Sequence, residues 1–144
     1  MVAFGFYGSS KSGKTSTIAR ITAELRRKGY SVVAIKHTHL DVRVDERAED
    51  TKRLRDAGAL CSALSAKEQS YIVFDRPLSA DYLLKILEPL CDVVLVEGFR
   101  DAKIKKFAFG DTDVTDGTLF RYSDDRFEEV LGLIEEGMRG VRCL

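Results

Sequence analysis

The sequence contains no tryptophan, two prolines, two histidines and three cysteines among its 144 residues. The cysteines Cys61, Cys91 and Cys143 are far apart and form neither a C-x-x-C pair nor a zinc-type spacing. No internal repeat and no linker rich in Gly, Ser or Pro interrupts the chain. We therefore expect a single nucleotide-binding domain over residues 1–144, long enough to bury a sizeable core.

The chain also lacks an excess of charge of either sign, because Lys plus Arg and Asp plus Glu both total 23. Unselective binding to nucleic acid needs a surplus of cations, so we expect no nucleic-acid partner. No apolar run approaches the roughly 20 residues of a membrane helix, and the apolar segment 1–7 is too short for a secretory signal. We expect no membrane partner and a cytoplasmic location.

Short apolar runs alternate with helical patterns along the chain. The predicted helices cover residues 14–28, 49–57, 79–90 and 124–139. The predicted strands cover residues 2–7, 31–36, 92–96, 104–109 and 118–122, with two shorter candidates at 59–66 and 71–74. This alternation indicates right-handed βαβ units, and hence an α/β fold with three layers, in which helices cover both faces of a mostly parallel sheet.

A phosphate-binding pattern, G-x-x-x-x-G-K-[ST], lies between the first predicted strand and the first predicted helix. Glycines let the backbone wrap closely around phosphates, and the helix N-terminus adds the positive end of its dipole. The lysine is expected to reach the β- and γ-phosphates, and the threonine hydroxyl to bind Mg²⁺. The predicted nucleotide-binding residues here are Gly8, Ser9, Ser10, Lys11, Ser12, Gly13, Lys14, Thr15 and Ser16.

An acidic residue, Glu97, follows four apolar residues of the strand predicted at 92–96. It therefore lies at the carboxyl end of a strand, where ligands bind in open parallel sheets. We interpret Glu97 as a catalytic residue that helps to hold Mg²⁺ with Thr15, and Gly98 as a point of close backbone approach. The alternative is an ordinary surface glutamate at the end of a strand.

A polar segment, Lys36-His37-Thr38-His39, begins at the end of the second predicted strand. Alternation in an extended segment places His37 and His39 on the same side. These two histidines could bind a metal, but no nearby cysteine completes a tetrahedral set. Contact of Lys36, His37 and His39 with phosphate or substrate, or simple loop packing, is favoured.

A carboxylate further along, Asp50, is a second candidate catalytic residue, because Asp50-Thr51 could approach the γ-phosphate. A helix cap is the alternative, and the spacing alone favours the cap.

Taken together, these motifs resemble the MobB-type adaptor proteins of molybdopterin-guanine dinucleotide biosynthesis, which have a P-loop NTPase-like fold. The motifs that carry the resemblance are Gly8–Thr15, Lys36-His37-Thr38-His39, Asp45 with Asp50-Thr51, Ala57-Gly58-Ala59, and Val96-Glu97-Gly98-Phe99. The resemblance implies binding of GTP with Mg²⁺, weak hydrolysis at most, and a homodimer. It also implies that the protein assists the guanylyltransferase that attaches GMP to molybdopterin, which makes molybdopterin itself a second possible ligand.

The chain departs from the family pattern at three places. Leu40 replaces a histidine, Ala48-Glu49 replaces a Gly-Lys pair, and Arg100 replaces a lysine. Glu49 in particular removes a cation from the loop that is expected to lie near the phosphates.

Two other functions remain open from the residues. One is a small-molecule P-loop kinase that uses ATP or GTP, with its acceptor bound by segment 37–50. Its phosphoryl clamp would come from Arg43, Arg47, Arg53 or Arg55, although a solvated helix face is the favoured interpretation of these arginines. The other is a regulatory switch whose polar loop orders around the γ-phosphate. The sequence has no Asn-Lys-x-Asp base-reading motif, so the choice of guanine depends on the resemblance.

Overall fold

The structure, a computed structural model, describes residues 1–42 and 49–142. The chain divides into two compact units, Met1–Thr38 with Ala80–Leu144, and His39–Ser79. The first unit contains β1 (Val2–Gly8), α1 (Lys14–Arg27) and β2 (Val32–Lys36), and the second contains α2 (Glu49–Asp56), β3 (Ser62–Ser65) and β4 (Ser70–Val73). The first unit then resumes with α3 (Ala80–Leu87), β5 (Val93–Glu97), β6 (Lys105–Phe109), β7 (Thr118–Arg121) and α4 (Phe127–Arg142).

The first unit is built on a parallel five-stranded sheet in the order β2-β5-β1-β6-β7. Strand β1 is central, with β5 on one side and β6 on the other. Residues Val2–Phe6 pair in register with Val93–Glu97, and Lys36 at the end of β2 lies opposite Glu97 at the end of β5. The order of strands reverses direction at β1, and such a point in a parallel sheet is where ligands bind, outside the carboxyl ends of the strands.

One face of this sheet packs against both α1 and α4. In α1, Ile18, Ile21 and Leu25 recur at helical spacing and are buried. They join phenylalanines of β1 and β6, such as Phe6 and Phe107, whose ring centroids lie 5.4 Å apart. The burial of each such side chain contributes about 1.5–3 kcal/mol, so this shared core fixes α1, and hence the loop before it, against the sheet.

The second unit pairs β3 and β4 as an antiparallel hairpin, with α2 packed beside β3. Its buried groups are polar: Arg55 of α2 donates hydrogen bonds to Ser62 and, at 2.8 Å, to Asp75. Among the described residues, β3 and β4 pair only with each other. A polar interior and a two-stranded sheet give this unit little hydrophobic stabilisation of its own.

The predicted α/β fold with a mostly parallel sheet is confirmed, and each predicted helix and strand is found within a few residues. Two helices differ in detail: α3 ends at Leu87 and continues as a 3₁₀ turn, Glu88–Leu90, which accommodates Pro89. A 3₁₀ turn, Asp124–Arg126, likewise precedes α4, which extends to Arg142. Within residues 1–42 and 49–142, no helix is long and apolar enough to cross a membrane. The cytoplasmic location and the single domain stay predictions.

Candidate functional site

The glycine loop between β1 and α1 lies at the carboxyl edge of the sheet, next to the end of β6. Gly8 ends β1 with φ +137°, a conformation that L side chains rarely adopt. A Cβ atom at Gly8 would lie 1.9 Å from the carbonyl oxygen of Phe109, which is fixed in β6. The loop continues alongside β6, since the Ser9 N–H donates to the same carbonyl at 3.3 Å. Gly8 is therefore required by the close approach of two backbones.

The loop leads into the N-terminus of α1. Gly13 is the N-cap residue and has no side chain to cap the helix, so the first N–H groups of α1 remain available to a ligand. The hydroxyl of Ser12 donates to the Ser9 carbonyl at 2.8 Å and closes the turn. Ser10, Lys11 and Ser16 are exposed beside it. The loop thus has the backbone donors and access that a phosphate group needs.

The lysine of the motif, Lys14, folds back over the loop. Its Nζ donates to the carbonyls of Gly8 and Ser9 at 3.2 and 2.5 Å, and to the Ser12 hydroxyl at 3.2 Å. Burial lowers the pKa of Lys14, Glu97 partly opposes this, and the charge of Lys36 lowers the pKa further, so the net shift is downward. The three hydrogen bonds hold the ammonium group of Lys14 over the loop, where it would meet an anionic ligand.

The next residue, Thr15, is in direct contact with Glu97. The Thr15 hydroxyl donates to Glu97 Oε2 at 2.7 Å, although the two residues are 82 positions apart in the chain. Lys36 completes the group, because its Nζ lies 2.8 Å from Glu97 Oε1 and 3.3 Å from Thr15 Oγ1. Helix α1 and strands β2 and β5 therefore bring Thr15, Lys36 and Glu97 together.

The electrostatics of Glu97 favour its charged form. Burial raises the pKa of this carboxyl group, but the hydrogen bonds from Lys36 and Thr15, with the charges of Lys36 and Lys14, outweigh it. The pKa of Glu97 consequently lies below its usual value, and the side chain is only 12% exposed. Glu97 is a carboxylate at neutral pH, as a metal-binding role requires.

The residues after Glu97 form a tight turn against β2. Gly98 has φ +91°, and a Cβ atom there would lie 3.0 Å from the Cβ of His37. The ring of His37 stacks on Phe99 with centroids 4.1 Å apart. The histidine therefore packs against the Glu97-Gly98-Phe99 segment, which supports a positioning role and matches the loop-packing interpretation of this motif.

Other predicted residues belong to the second unit or lie outside the described residues. His39 begins the second unit, and Asp50 is exposed in the first turn of α2, where an acidic side chain favours the helix dipole. Among residues 1–42 and 49–142, no group of three or more His, Cys, Asp or Glu side chains could hold a metal. The predicted residues that lie outside the described ones are Arg43, Asp45, Arg47 and Ala48.

Of the arginines considered for a kinase clamp, Arg55 is engaged within its own unit. Its side chain is 5% exposed and bound to Asp75 and Ser62. Because its guanidinium already binds these partners, Arg55 is a structural residue of the second unit.

One residue near the site was not predicted. Lys106 of β6 is 2% exposed, and its Nζ donates to the carbonyls of Arg100 and Ala102 at 2.8 and 2.9 Å. It therefore fastens the loop that follows Glu97. The signal in the sequence is weak, because Lys106 follows another lysine, Lys105, at the start of β6 and a lysine is usually exposed.

The donor set fits a triphosphate with Mg²⁺. Mg²⁺ prefers oxygen ligands and keeps several waters, so a hydroxyl and a carboxylate suffice on the protein side. Thr15 and Glu97 supply these two groups, while Lys14 and the start of α1 supply cationic and N–H donors for phosphates.

Comparison with solved structures identifies the same fold in crystal structures of two other proteins. A MobB protein homolog from Bacillus stearothermophilus superposes with a TM-score of 0.66 at 20% identity, covering 97% of this chain and 99% of that one. MobB from Bacillus subtilis superposes with a TM-score of 0.68 at 19% identity, covering 94% and 97%.

Sequence comparison also finds proteins of molybdopterin-guanine dinucleotide biosynthesis. The family model described as "Molybdopterin guanine dinucleotide synthesis protein B" matches residues 3–134. A molybdopterin-guanine dinucleotide biosynthesis adapter protein of Haemophilus influenzae is 34% identical over 114 residues, 77% of this chain and 64% of that protein. The Escherichia coli adapter protein is 30% identical over 106 residues, 70% of this chain and 61% of its own length. The match thus spans less than two thirds of these relatives.

Proposed function

Because the chain belongs to the molybdopterin guanine dinucleotide synthesis protein B family, we propose that it is a GTP-binding adapter in molybdopterin-guanine dinucleotide biosynthesis. The observation that carries this proposal is the contact between the phosphate loop and the distal acid, 2.7 Å from Thr15 Oγ1 to Glu97 Oε2. In P-loop proteins, this hydroxyl and an acid at the end of a neighbouring strand hold Mg²⁺ on the triphosphate.

In this proposal, each residue at the sheet edge has a defined task. Lys14 and the first N–H groups of α1 bind the phosphates. Thr15 binds Mg²⁺ through its hydroxyl oxygen, and Glu97 binds it through its carboxylate. Hydrolysis is slow or absent, as the resemblance to this family implies.

Substitution of Lys14 tests triphosphate binding. Charge-assisted hydrogen bonds contribute about 1.5–3 kcal/mol each, so Lys14→Ala should remove measurable binding of GTP in calorimetry with Mg²⁺. Lys28→Ala is the matched control, because Lys28 lies at the opposite end of α1 from the loop, where it pairs with Glu135 of α4. Unchanged affinity in Lys14→Ala would refute the assignment of the loop.

The adapter role requires a protein partner, for which we propose the guanylyltransferase that joins GMP to molybdopterin. A homodimer is also part of the proposal. Exposed apolar residues of the second unit support both the partner contact and the homodimer. Leu54, Leu60 and Ile72 are 59–68% exposed. The hairpin β3–β4 also has outer edges that another chain could extend.

Reconstitution tests the adapter role. Purified guanylyltransferase from the same organism, molybdopterin and MgGTP should give more dinucleotide product with the wild-type chain than with Lys14→Ala. Equal yields with and without the chain would contradict the role. Rapid turnover that depends on an added small acceptor would assign a kinase instead.

Light scattering during gel filtration measures the mass of the protein in solution and so tests the homodimer. A mass of 16.1 kDa, that of one chain, would contradict the homodimer.

A further inference from the structure

Lys36 is a cationic side chain in direct contact with the proposed metal ligands. Its Nζ contacts both of them, Glu97 Oε1 at 2.8 Å and Thr15 Oγ1 at 3.3 Å. The position of the ammonium follows from the sheet, because Lys36 and Glu97 lie directly opposite each other at the ends of β2 and β5. The register of two paired strands thus places the Lys36 side chain beside Glu97.

These contacts use the same oxygen atoms that Mg²⁺ would need. The hydrogen of the Thr15 hydroxyl goes to Glu97 Oε2, so the ammonium of Lys36 faces the lone pairs of that hydroxyl. Mg²⁺ binds oxygen at about 2.0–2.1 Å, where it would also meet the full positive charge of the ammonium. The lysine and the metal therefore compete for one position.

The lysine can leave this position at little cost. Its side chain is 62% exposed, whereas that of Glu97 is 12% exposed. An ion pair with one exposed partner is weak and its long side chain is free to turn into solvent. Glu97 is the fixed member of the pair and Lys36 is the movable one.

The geometry points to Lys36 as an internal cation that holds the place of Mg²⁺ between Thr15 and Glu97 and must be displaced when the metal binds. This inference rests on the proposed Mg²⁺ site. It predicts that the metal binds weakly without nucleotide, since it must expel a lysine. A triphosphate would ease the exchange, because its charge attracts both the metal and the displaced ammonium.

Binding of Mn²⁺ to the nucleotide-free protein tests this directly, with electron paramagnetic resonance as the readout. Lys36→Met should bind Mn²⁺ about two- to five-fold more tightly than the wild type, the factor expected from loss of a partly exposed ion pair. Lys36→Arg keeps the charge and should stay within about two-fold of the wild type. Lys28→Met, which removes a lysine from the remote pair with Glu135, should also leave the affinity unchanged.

Several results would overturn the inference. They are equal or weaker Mn²⁺ binding in Lys36→Met, equal tightening in Lys28→Met, and no Mn²⁺ binding by any of the proteins. If Lys36→Met does not fold, NMR of the lysine ζ groups in the wild type replaces it. Titration with Mg²⁺ alone should then shift the Lys36 signal toward that of an unpaired lysine, and an unmoved signal would overturn the inference.

The failure of this inference and the failure of the proposed function are distinguishable. Calorimetry of the wild type with MgGTP tests the proposed function alone. If Mn²⁺ binds more tightly to Lys36→Met but MgGTP does not bind the wild type, the competition holds and the GTP-binding adapter is refuted. If MgGTP binds and Lys36→Met leaves Mn²⁺ affinity unchanged, only the competition is refuted.

Discussion

A single methyl group at Gly8 should separate the phosphate loop from the sheet. In Gly8→Ala, the new Cβ would lie 1.9 Å from the Phe109 carbonyl oxygen and 2.8 Å from its carbon, both backbone atoms of β6. Backbone in the middle of a packed sheet cannot turn aside as a side chain can. The alanine would therefore have to push β1 and β6 apart at the edge where the ligand is proposed to bind.

The magnitude has two parts. Forcing a non-glycine residue into positive φ costs about 1–2 kcal/mol, and overpacking a fixed interior costs about 1–3 kcal/mol more. We therefore expect Gly8→Ala to lower the free energy of unfolding by about 2–5 kcal/mol. Gly29→Ala separates the two parts, because Gly29 has φ +88° but no atom within 4 Å of a new Cβ. It should lose only the first part, about 1–2 kcal/mol.

Urea unfolding followed by circular dichroism measures both variants, since the chain has no tryptophan for fluorescence. Gly8→Ala should also lose affinity for MgGTP, whereas Gly29→Ala should keep it. Equal losses of stability in the two variants would refute the argument that backbone contact between Gly8 and Phe109 fixes the loop.

Three further predictions concern the residues around the loop. Thr15→Val should abolish the gain in GTP affinity that Mg²⁺ gives, without changing GTP binding in the absence of Mg²⁺. Thr22→Val, on the same helix, should keep the gain. Calorimetry with and without Mg²⁺ measures both variants, and a persistent gain in Thr15→Val would contradict the metal-binding role of Thr15. Because the pKa of Glu97 is lowered in the folded state, its carboxylate stabilises the protein above the ordinary carboxyl pKa and loses this effect as pH falls through the lowered value. The difference in unfolding free energy between wild type and Glu97→Gln should therefore shrink from about pH 7 to about pH 3, and a constant difference would be evidence against a shifted pKa. Lys106→Met should cost about 1–3 kcal/mol in urea unfolding, because two partly buried carbonyls lose their donor. Lys105→Met, at an exposed position, should change stability by less than about 0.5 kcal/mol. Equal effects would mean that the burial of Lys106 is unimportant.

The sequence predicted the phosphate loop and its strand and helix because their signals are local. Glycine spacing identifies the loop, and the period of Ile18, Ile21 and Leu25 identifies the helix after it. Glu97 could also be predicted, because an acid directly after a buried run lies at the end of a strand. These inferences need only neighbouring residues.

The contact of Lys36 with Glu97 could not be predicted in the same way. It depends on β2 lying beside β5, with residue 36 opposite residue 97, and strand order is a property of the whole sheet. Lys106 was missed for a different reason, because its burial depends on how the preceding loop turns back so that the carbonyls of Arg100 and Ala102 accept from its ammonium. The role of Asp50 stays a prediction, since it belongs to the second unit and follows residues outside the described part of the chain.

The central claim is that this sheet edge binds GTP as its Mg²⁺ complex, and competition between nucleotides tests it most directly. Calorimetry of the wild type with GTP, ATP and their non-hydrolysable analogues, each with and without Mg²⁺, compares the two bases and the metal in one series. The account predicts tighter binding of GTP than of ATP, with affinity increased by Mg²⁺. Equal or tighter binding of ATP would contradict the guanine assignment, and no binding of either triphosphate would contradict the site itself.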